Sequence, residues 1–184
     1  MTPHEAVRRV VEALHAGEIA HLVTGALASN HYGIERSTKD ADIVLETAPV
    51  DFAAFAVSLG PELELDPQIT FETITGSQRH IISVRGTPFK IELFLLGADA
   101  HHQERFRRRV KVELANLGIG TALPTAEDVI VQKVRWGRAK DLDDALGVLA
   151  VQGNALDFGY IHRWCDAHGT RGRLEELRRS IPPI

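Results

Sequence analysis

Apolar residues recur at helical spacing over residues 3–16, where Ala6, Val7, Val10, Val11 and Leu14 fall on one face, so the chain opens with an amphipathic helix laid on a core. Residues 19–24 form a short apolar run of strand length that ends in Thr24-Gly25, and residues 26–32 have helix-forming content closed by Gly33, a C-cap signal. The next run, KDADIVLE over 39–46, alternates: Asp40, Asp42 and Val44 share one face of a strand, and Ala41, Ile43 and Leu45 the other. Residues 49–59, with Val50, Phe52, Ala53, Phe55, Ala56 and Leu59, read as a short helix stopped by Gly60-Pro61. Three strand-like runs follow at 69–74, 80–85 and 88–96, separated by Thr75-Gly76-Ser77 and Gly86-Thr87, which predicts an antiparallel or mixed sheet. In the last of them Lys90, Glu92 and Phe94 share a face, so Glu92 is a charge flanked by apolar packing.

Beyond residue 100 the pattern turns helical. Residues 101–109 are polar and basic, 110–114 alternate as an edge strand would, and Gly118 and Gly120 mark a loop. Thr125 with Asp128 three residues on is a capping-box start for a helix running to about Trp136 and ending at Gly137. Leu142, Ala145, Leu146 and Leu149 give an amphipathic helix, and two more helices are expected over 155–167 and 171–180, separated by Gly169, with a frayed end at 182–184. The order predicts an α/β (α+β) fold: a short mixed sheet packed by helices, residues 1–123, with a helical C-terminal portion, 124–184, packed on it.

Composition narrows the class without naming a function. At 184 residues, 44% hydrophobic and 25% charged, the chain can bury one sizeable core. No apolar run approaches the roughly 20 residues that span a bilayer, and the N-terminal stretch is an amphipathic helix, not a signal peptide. The single cysteine, Cys165, excludes an internal disulfide framework and suits a reducing, cytoplasmic setting. With His168 it makes one ligand pair without a second, so no zinc pattern arises. The net charge of −4 hides an asymmetry: residues 1–100 carry 7 basic and 14 acidic side chains, and 101–184 carry 14 and 11. An acidic half suits metal and a basic half phosphate or nucleic acid, although ordinary solvated helices can differ this way too.

The chemistry concentrates at residues 20–46. A helix beginning at Gly25 presents backbone N–H groups without intrahelical partners at the positive end of its dipole, a site for phosphate. The facing pair Asp40 and Asp42 places like charges roughly 7 Å apart on one strand face, which a cation between or beside them would offset. Hard oxygen ligands on rigid backbone suit Mg²⁺. The plain alternative is a solvated strand start.

A strand, a glycine turn, then Arg36-x-Thr38-x-Asp40-x-Asp42 resembles the signature of the nucleotidyltransferase fold, the superfamily of DNA polymerase β and the small antibiotic and tRNA nucleotidyltransferases. It is similar above all to minimal bacterial versions of the abortive-infection toxin type. The resemblance implies that Gly25 and Ala26, with Ser29 a turn on, grip the triphosphate of an NTP, that Arg36 steadies it, and that Asp40, Asp42 and Glu92 hold two Mg²⁺ ions. It extends to residues 126–149, where Lys133 would reach the phosphates and Asp141 and Asp144 would position Lys133, Arg138 or a substrate group. The implied reaction moves a nucleoside monophosphate to a hydroxyl acceptor: tRNA for a toxin-like enzyme, which would also have an antitoxin protein as partner, or a small molecule for an antibiotic-type one. A non-catalytic binding or regulatory protein on the same fold is the rival.

Two residues depart from the family pattern. Ala26 stands where a second glycine or a serine is usual, and a hydrogen bond to a charged group contributes about 1.5–3 kcal/mol. Glu92 stands where aspartate is usual, moving the carboxylate outward by about one C–C bond, whereas Mg²⁺ demands near-ideal geometry. Glu92 otherwise reads as an exposed edge-strand charge paired with Lys90, Lys133 as a snorkelling lysine beside Val129 and Trp136, and Asp141 as a first-turn aspartate favoured by the dipole. The basic run Arg105, Arg107, Arg108, Arg109 and Lys111 is either an RNA contact or a solvated helix face.

Overall fold

The computed structural model describes residues 1–48 and 51–181, so Val50 of the expected 49–59 helix and the expected frayed end at 182–184 lie outside the described residues. Helix α1 (Pro3–Ala16) begins in a reciprocal capping box between Thr2 and Glu5 and buries Ala6, Val7, Val10, Val11 and Leu14, the predicted face. Strand β1 (His21–Thr24) runs into α2 (Gly25–Tyr32), and β2 (Asp40–Leu45) returns antiparallel to β1. Then come α3 (Phe52–Ser58), capped by Asp51, and four strands: β3 (Leu63–Leu65), β4 (Thr70–Phe71), β5 (Gln78–Val84) and β6 (Lys90–Leu95). The sheet order is β1-β2-β6-β5-β3 with β4 also on β5, and only the β2–β6 pairing is parallel. The expected mixed sheet is therefore present.

Helix α4 (Ala100–Arg107) leads to a hairpin of β7 (Val110–Leu114) and β8 (Ile119–Leu123), a separate two-stranded sheet. Four helices complete the chain: α5 (Ala126–Trp136), α6 (Ala139–Gln152), α7 (Phe158–Ala167) and α8 (Arg171–Ser180). One hydrophobic cluster runs from α1 through Ala41, Ile43 and Leu45 of β2 and Ile91 and Leu93 of β6 to Ile130, Val148, Ile161 and Leu174 of the last helices. That cluster covers one sheet face. The opposite face is apolar only at its lower end, where Phe106 of α4 packs on Leu22 and Val44, and Phe94 borders them. Its upper end carries Thr24, Asp40, Asp42 and Glu92.

Several sequence expectations need correction. The 69–74 strand shrinks to Thr70–Phe71 because Glu72 accepts from the N–H groups of Ile74 and Thr75 and closes a turn there. Strand β3, only Leu63–Leu65, is too short for a two-residue period to register. The expected loop around Gly118 and Gly120 is a hairpin: Gly118 takes the turn at φ +62° and Gly120 pairs with Glu113. Helix α7 begins at Phe158, after a 3-10 turn over Gly153–Ala155, because Asp157 caps it. On α6 the buried face is Asp141, Asp144, Ala145, Val148 and Leu149, so two aspartates lie where an apolar stripe was expected, while Leu142 and Leu146 lie at its edge.

Gly33 follows α2 as predicted and donates to Ser29, but its conformation, φ −130°, is open to other residues. Its role is close packing: a Cβ there would sit 2.7 Å from the backbone nitrogen of Val148, and one on Gly147 would sit 3.2 Å from that of Ile34. Gly33→Ala is expected to lower stability by about 1–3 kcal/mol in urea unfolding, since backbone must move. Gly172→Ala, whose Cβ would meet nothing within 4 Å, should leave stability unchanged or slightly raised. Equal losses at both positions would refute the packing account.

Candidate active site

A cleft of about 450 Å³ opens over the upper end of the sheet, floored by β1, β2 and β6 and walled by α4 and α5. Parallel pairing sets Asp42 directly beside Glu92, and antiparallel pairing sets it beside Thr24 on its other flank. The glycine turn lies against the carboxylate: a Cβ on Gly25 would stand 1.8 Å from Asp42 Oδ2, and the residue has φ +61°. Both sterics and conformation therefore demand glycine. The turn opens helix α2 toward the acidic pair, and Thr24 makes no side-chain cap bond to its N–H groups.

The two aspartates differ in their surroundings. Asp40 accepts from the Thr38 hydroxyl at 2.8 Å, whereas the Asp42 carboxylate has no hydrogen-bond or ion-pair partner among the described residues. Burial, then the charges of Asp40 and Glu92, push the Asp42 carboxyl up to about 7, against a smaller pull from Lys133 and Lys140. Glu92 pairs with Arg79 of β5 at 3.1 Å and not with Lys90, and its strand is interior, not an edge. Among the described residues no group of three or more His, Cys, Asp or Glu side chains is gathered as a metal cage. The fit to a divalent ion thus rests on Asp40 and Asp42, with Glu92 adjoining only if it turns from Arg79.

The basic groups expected at phosphates form a network instead. Arg36 grips Asp144 with two hydrogen bonds, 2.5 and 2.8 Å long, and the ammonium of Lys133 lies 2.7 Å from Asp144 and 3.2 Å from Asp141. Arg138 closes the chain on Asp141. Burial works against ionisation of Asp144, but the bonds from Arg36 and Lys133 outweigh it and hold its carboxyl below the usual range. Lys133 is buried between two carboxylates, which replaces both the snorkelling reading and a lysine free for phosphate. Asp144 lies behind the cleft wall, while Arg36, Lys133, Arg138 and Asp141 line it.

Ser29 does not reach the cleft: it is buried, and its hydroxyl donates back to the carbonyls of Gly25 and Ala26. Ala26 lines the turn and brings only backbone donors. The basic run at 105–111 is not one surface patch. Arg107 pairs with Glu104, Arg108 and Arg109 lie over the rings of Tyr160 and Phe106, and Arg105 is interior.

Residues that sequence reasoning passed over also line the cleft, Arg79, His102 and Gln132, together with Arg105, read there only as part of the basic run, Trp136, read only as a neighbour of Lys133, and Phe71, 63% exposed, at the rim. One available signal was the spacing of His101, His102, Arg105 and Phe106, all buried on one face of α4, where polar residues occupy core positions. Behind that face Asp128 of α5 accepts from His101 (3.1 Å), from the Tyr160 hydroxyl of α7 (2.5 Å) and from Thr125 (3.0 Å), and so joins three helices. Asp128 was foreseen only as a capping residue.

The raised Asp42 carboxyl has a definite sign in stability. The folded chain holds that proton more tightly than the unfolded chain, so the contribution is complete below about pH 4 and is lost as pH rises through about 7. Without divalent metal, Asp42→Asn is expected to melt with wild type near pH 4 and above it at pH 8, by about 2–4 °C for each 1 kcal/mol relieved. A variant that melts below wild type at pH 8 would show that the carboxylate is compensated in the fold.

No family model matches the chain, and no curated protein matches it in sequence. Solved structures do match in shape. ANT(2'')-Ia, in complex with adenylyl-2''-tobramycin, has a TM-score of 0.59 at 12% identity, over 94% of this chain and 99% of that one. A candidate nucleotidyltransferase from Helicobacter pylori has a TM-score of 0.54 at 14% identity, over 90% and 74%. An antigenic nucleotidyltransferase-like protein from Paracoccidioides brasiliensis has a TM-score of 0.50 at 16% identity, over 98% and 94%. With the mixed sheet and its parallel β2–β6 pair, these likenesses establish the fold: the chain has the nucleotidyltransferase fold.

Proposed function

We propose that the protein transfers a nucleoside monophosphate from an NTP to a hydroxyl acceptor. The observation that carries this reading is the unpartnered Asp42 carboxylate, packed against Gly25 where a Cβ would stand and flanked by Asp40 and Glu92 on one face. Asp40 and Asp42 would hold Mg²⁺, a charge that removes the repulsion now raising the Asp42 carboxyl. Bound there, two such ions would stabilise the attacking and leaving oxygens of an in-line displacement. The chain's own groups do the rest. The Gly25 and Ala26 N–H groups take phosphoryl oxygens at the start of α2, and the network of Arg36, Lys133 and Arg138 on the carboxylates of Asp141 and Asp144 leaves one net positive charge in the wall. Glu92, oriented by Arg79, accepts the proton of the attacking hydroxyl as the new P–O bond forms and pyrophosphate departs.

For the acceptor, the cleft lining carries six cations (Arg36, Arg79, Arg105, Lys133, Arg138 and Lys140) against five carboxylates (Asp40, Asp42, Glu72, Glu92 and Asp141), so its charge is nearly balanced; the reading taken first is an RNA end such as that of tRNA, on the resemblance to the toxin-type enzymes. A toxin-like role, with an antitoxin partner, belongs to the same reading. A small-molecule acceptor of the antibiotic type is the other branch, and no helix among the described residues is long and apolar enough to cross a membrane and anchor either.

One observation favours a non-catalytic binding protein: Arg79 holds Glu92 away from a three-carboxylate cage. The two readings part in one assay. Incubated with Mg²⁺ or Mn²⁺, each α-labelled NTP and total tRNA or a panel of polyhydroxylated small molecules, wild type should move label to one acceptor class, and Asp42→Asn should lower transfer at least about 1,000-fold, the scale of losing a main electrostatic group. Mg²⁺ and NTP stabilising the fold with no label moved to any acceptor would favour the binding protein, and full transfer by Asp42→Asn would remove Asp42 from the chemistry.

A further inference from the structure

Arg105 is fully buried, at 1% exposure, yet no carboxylate lies in ion-pair contact with it among the described residues. Among the described residues its Nη1 reaches only the Thr24 hydroxyl, at 3.5 Å, and its Nε has no partner. Asp128, the carboxylate with most influence on it, is already taken by His101, Tyr160, Thr125 and Arg108. Burial pushes the guanidinium down only to about 10, so it stays charged. A buried cation without a partner costs several kcal/mol and is not kept for stability.

Its neighbour on the same helix face repeats the pattern. The Ser77 hydroxyl lies 3.4 Å from His102 Nδ1, and which of the two donates depends on the tautomer of the ring. Its Nε2 is buried and has no partner among the described residues. Burial, then the charge of Arg105, push His102 down to about 3, so it is neutral at working pH. Two unpartnered polar groups, three residues apart on α4, thus line the same cleft as Gly25 and Asp42. The other cleft arginines, Arg36, Arg79 and Arg138, already face carboxylates. Arg105 alone among them is free, and it touches Thr24, the residue that enters the glycine turn, where Ala26 offers no side-chain donor.

We propose that Arg105, with His102 beside it, is the side-chain anion site of the glycine turn and binds a phosphoryl oxygen of the nucleotide's polyphosphate. This rests on reading the cleft as a nucleotide site. It makes Arg105 a binding residue whose burial is destabilising in the free protein and offset by the ligand.

The test is calorimetric titration of wild type, Arg105→Met and Arg105→Lys with Mg-ATP, Mg-GTP, Mg-CTP, Mg-UTP and inorganic tripolyphosphate, alongside melting of each ligand-free protein. The expected result is that Arg105→Met melts at or above wild type and binds tripolyphosphate and the preferred nucleotide about 10- to 100-fold more weakly. Arg105→Lys keeps the charge without the planar fork and should lose affinity severalfold, which decides the matter if the methionine variant does not fold. Unchanged affinity in the folded variants would overturn the anion site and leave the functional reading standing. Tripolyphosphate binding that depends on Arg105, without binding of any nucleotide, would support the anion site and remove the functional reading. A wild type that binds none of these ligands would overturn both.

Discussion

The carboxylate of Asp144 is the constraint on which the rest of the site depends. It is buried on α6, and among the described residues the only charges that compensate it are Arg36, from the loop before β2, and Lys133, from α5. One side chain therefore fixes three segments at once: the loop that delivers Asp40 and Asp42, the helix that walls the cleft, and the helix that carries the anchor. Losing one member of such a buried group leaves an unpaired charge and costs about 3–5 kcal/mol, more than most single contacts in a fold. The same junction is where Gly33 and Gly147 bring α2 and α6 to backbone contact, so packing and charge demand the same arrangement.

Around that anchor the molecule accepts strain that stability alone would not select. Asp42 is crowded by Asp40 and Glu92 and by the glycine turn, and Arg105 is buried without a counter-charge. The two misfits line one cleft and have opposite sign. A ligand carrying both divalent cation and polyphosphate would relieve them together, the cation at Asp42 and the anion at the turn, and binding energy that removes such strain is available for orientation. Asp128 supports this from behind by tying α4, α5 and α7, so the donors of α4 are held rigidly.

The backbone of the site was legible from the chain alone because its signals are local. A strand, a glycine and an alternating Asp-x-Asp place Gly25, Asp40 and Asp42 within one contiguous stretch, and the capping residue Thr125 marks its helix directly. Partner choice was not legible, because it depends on sheet order. Whether Glu92 meets Lys90 or Arg79 follows from β5 pairing with β6, and whether Lys133 faces solvent or Asp144 follows from how α6 packs on α5. The helix-period reading of α6 chose Leu142 and Leu146 for the core on hydrophobicity, whereas the compensated aspartates are what the helix buries. Ser29 and Arg105 were exchanged in the same way: the hydroxyl near the turn in sequence faces its own helix, and the donor near it in space comes from residue 105.

The central claim is that one cleft brings divalent cation and triphosphate together at Asp42. The most direct measurement is the crystal structure of the protein with Mn²⁺ and a non-hydrolysable NTP, with anomalous scattering locating the metal. The account predicts a Mn²⁺ peak at the carboxylates of Asp40 and Asp42, with phosphoryl oxygens on the Gly25 turn. A nucleotide bound away from that turn, or carboxylates left without metal at saturating Mn²⁺, would contradict it.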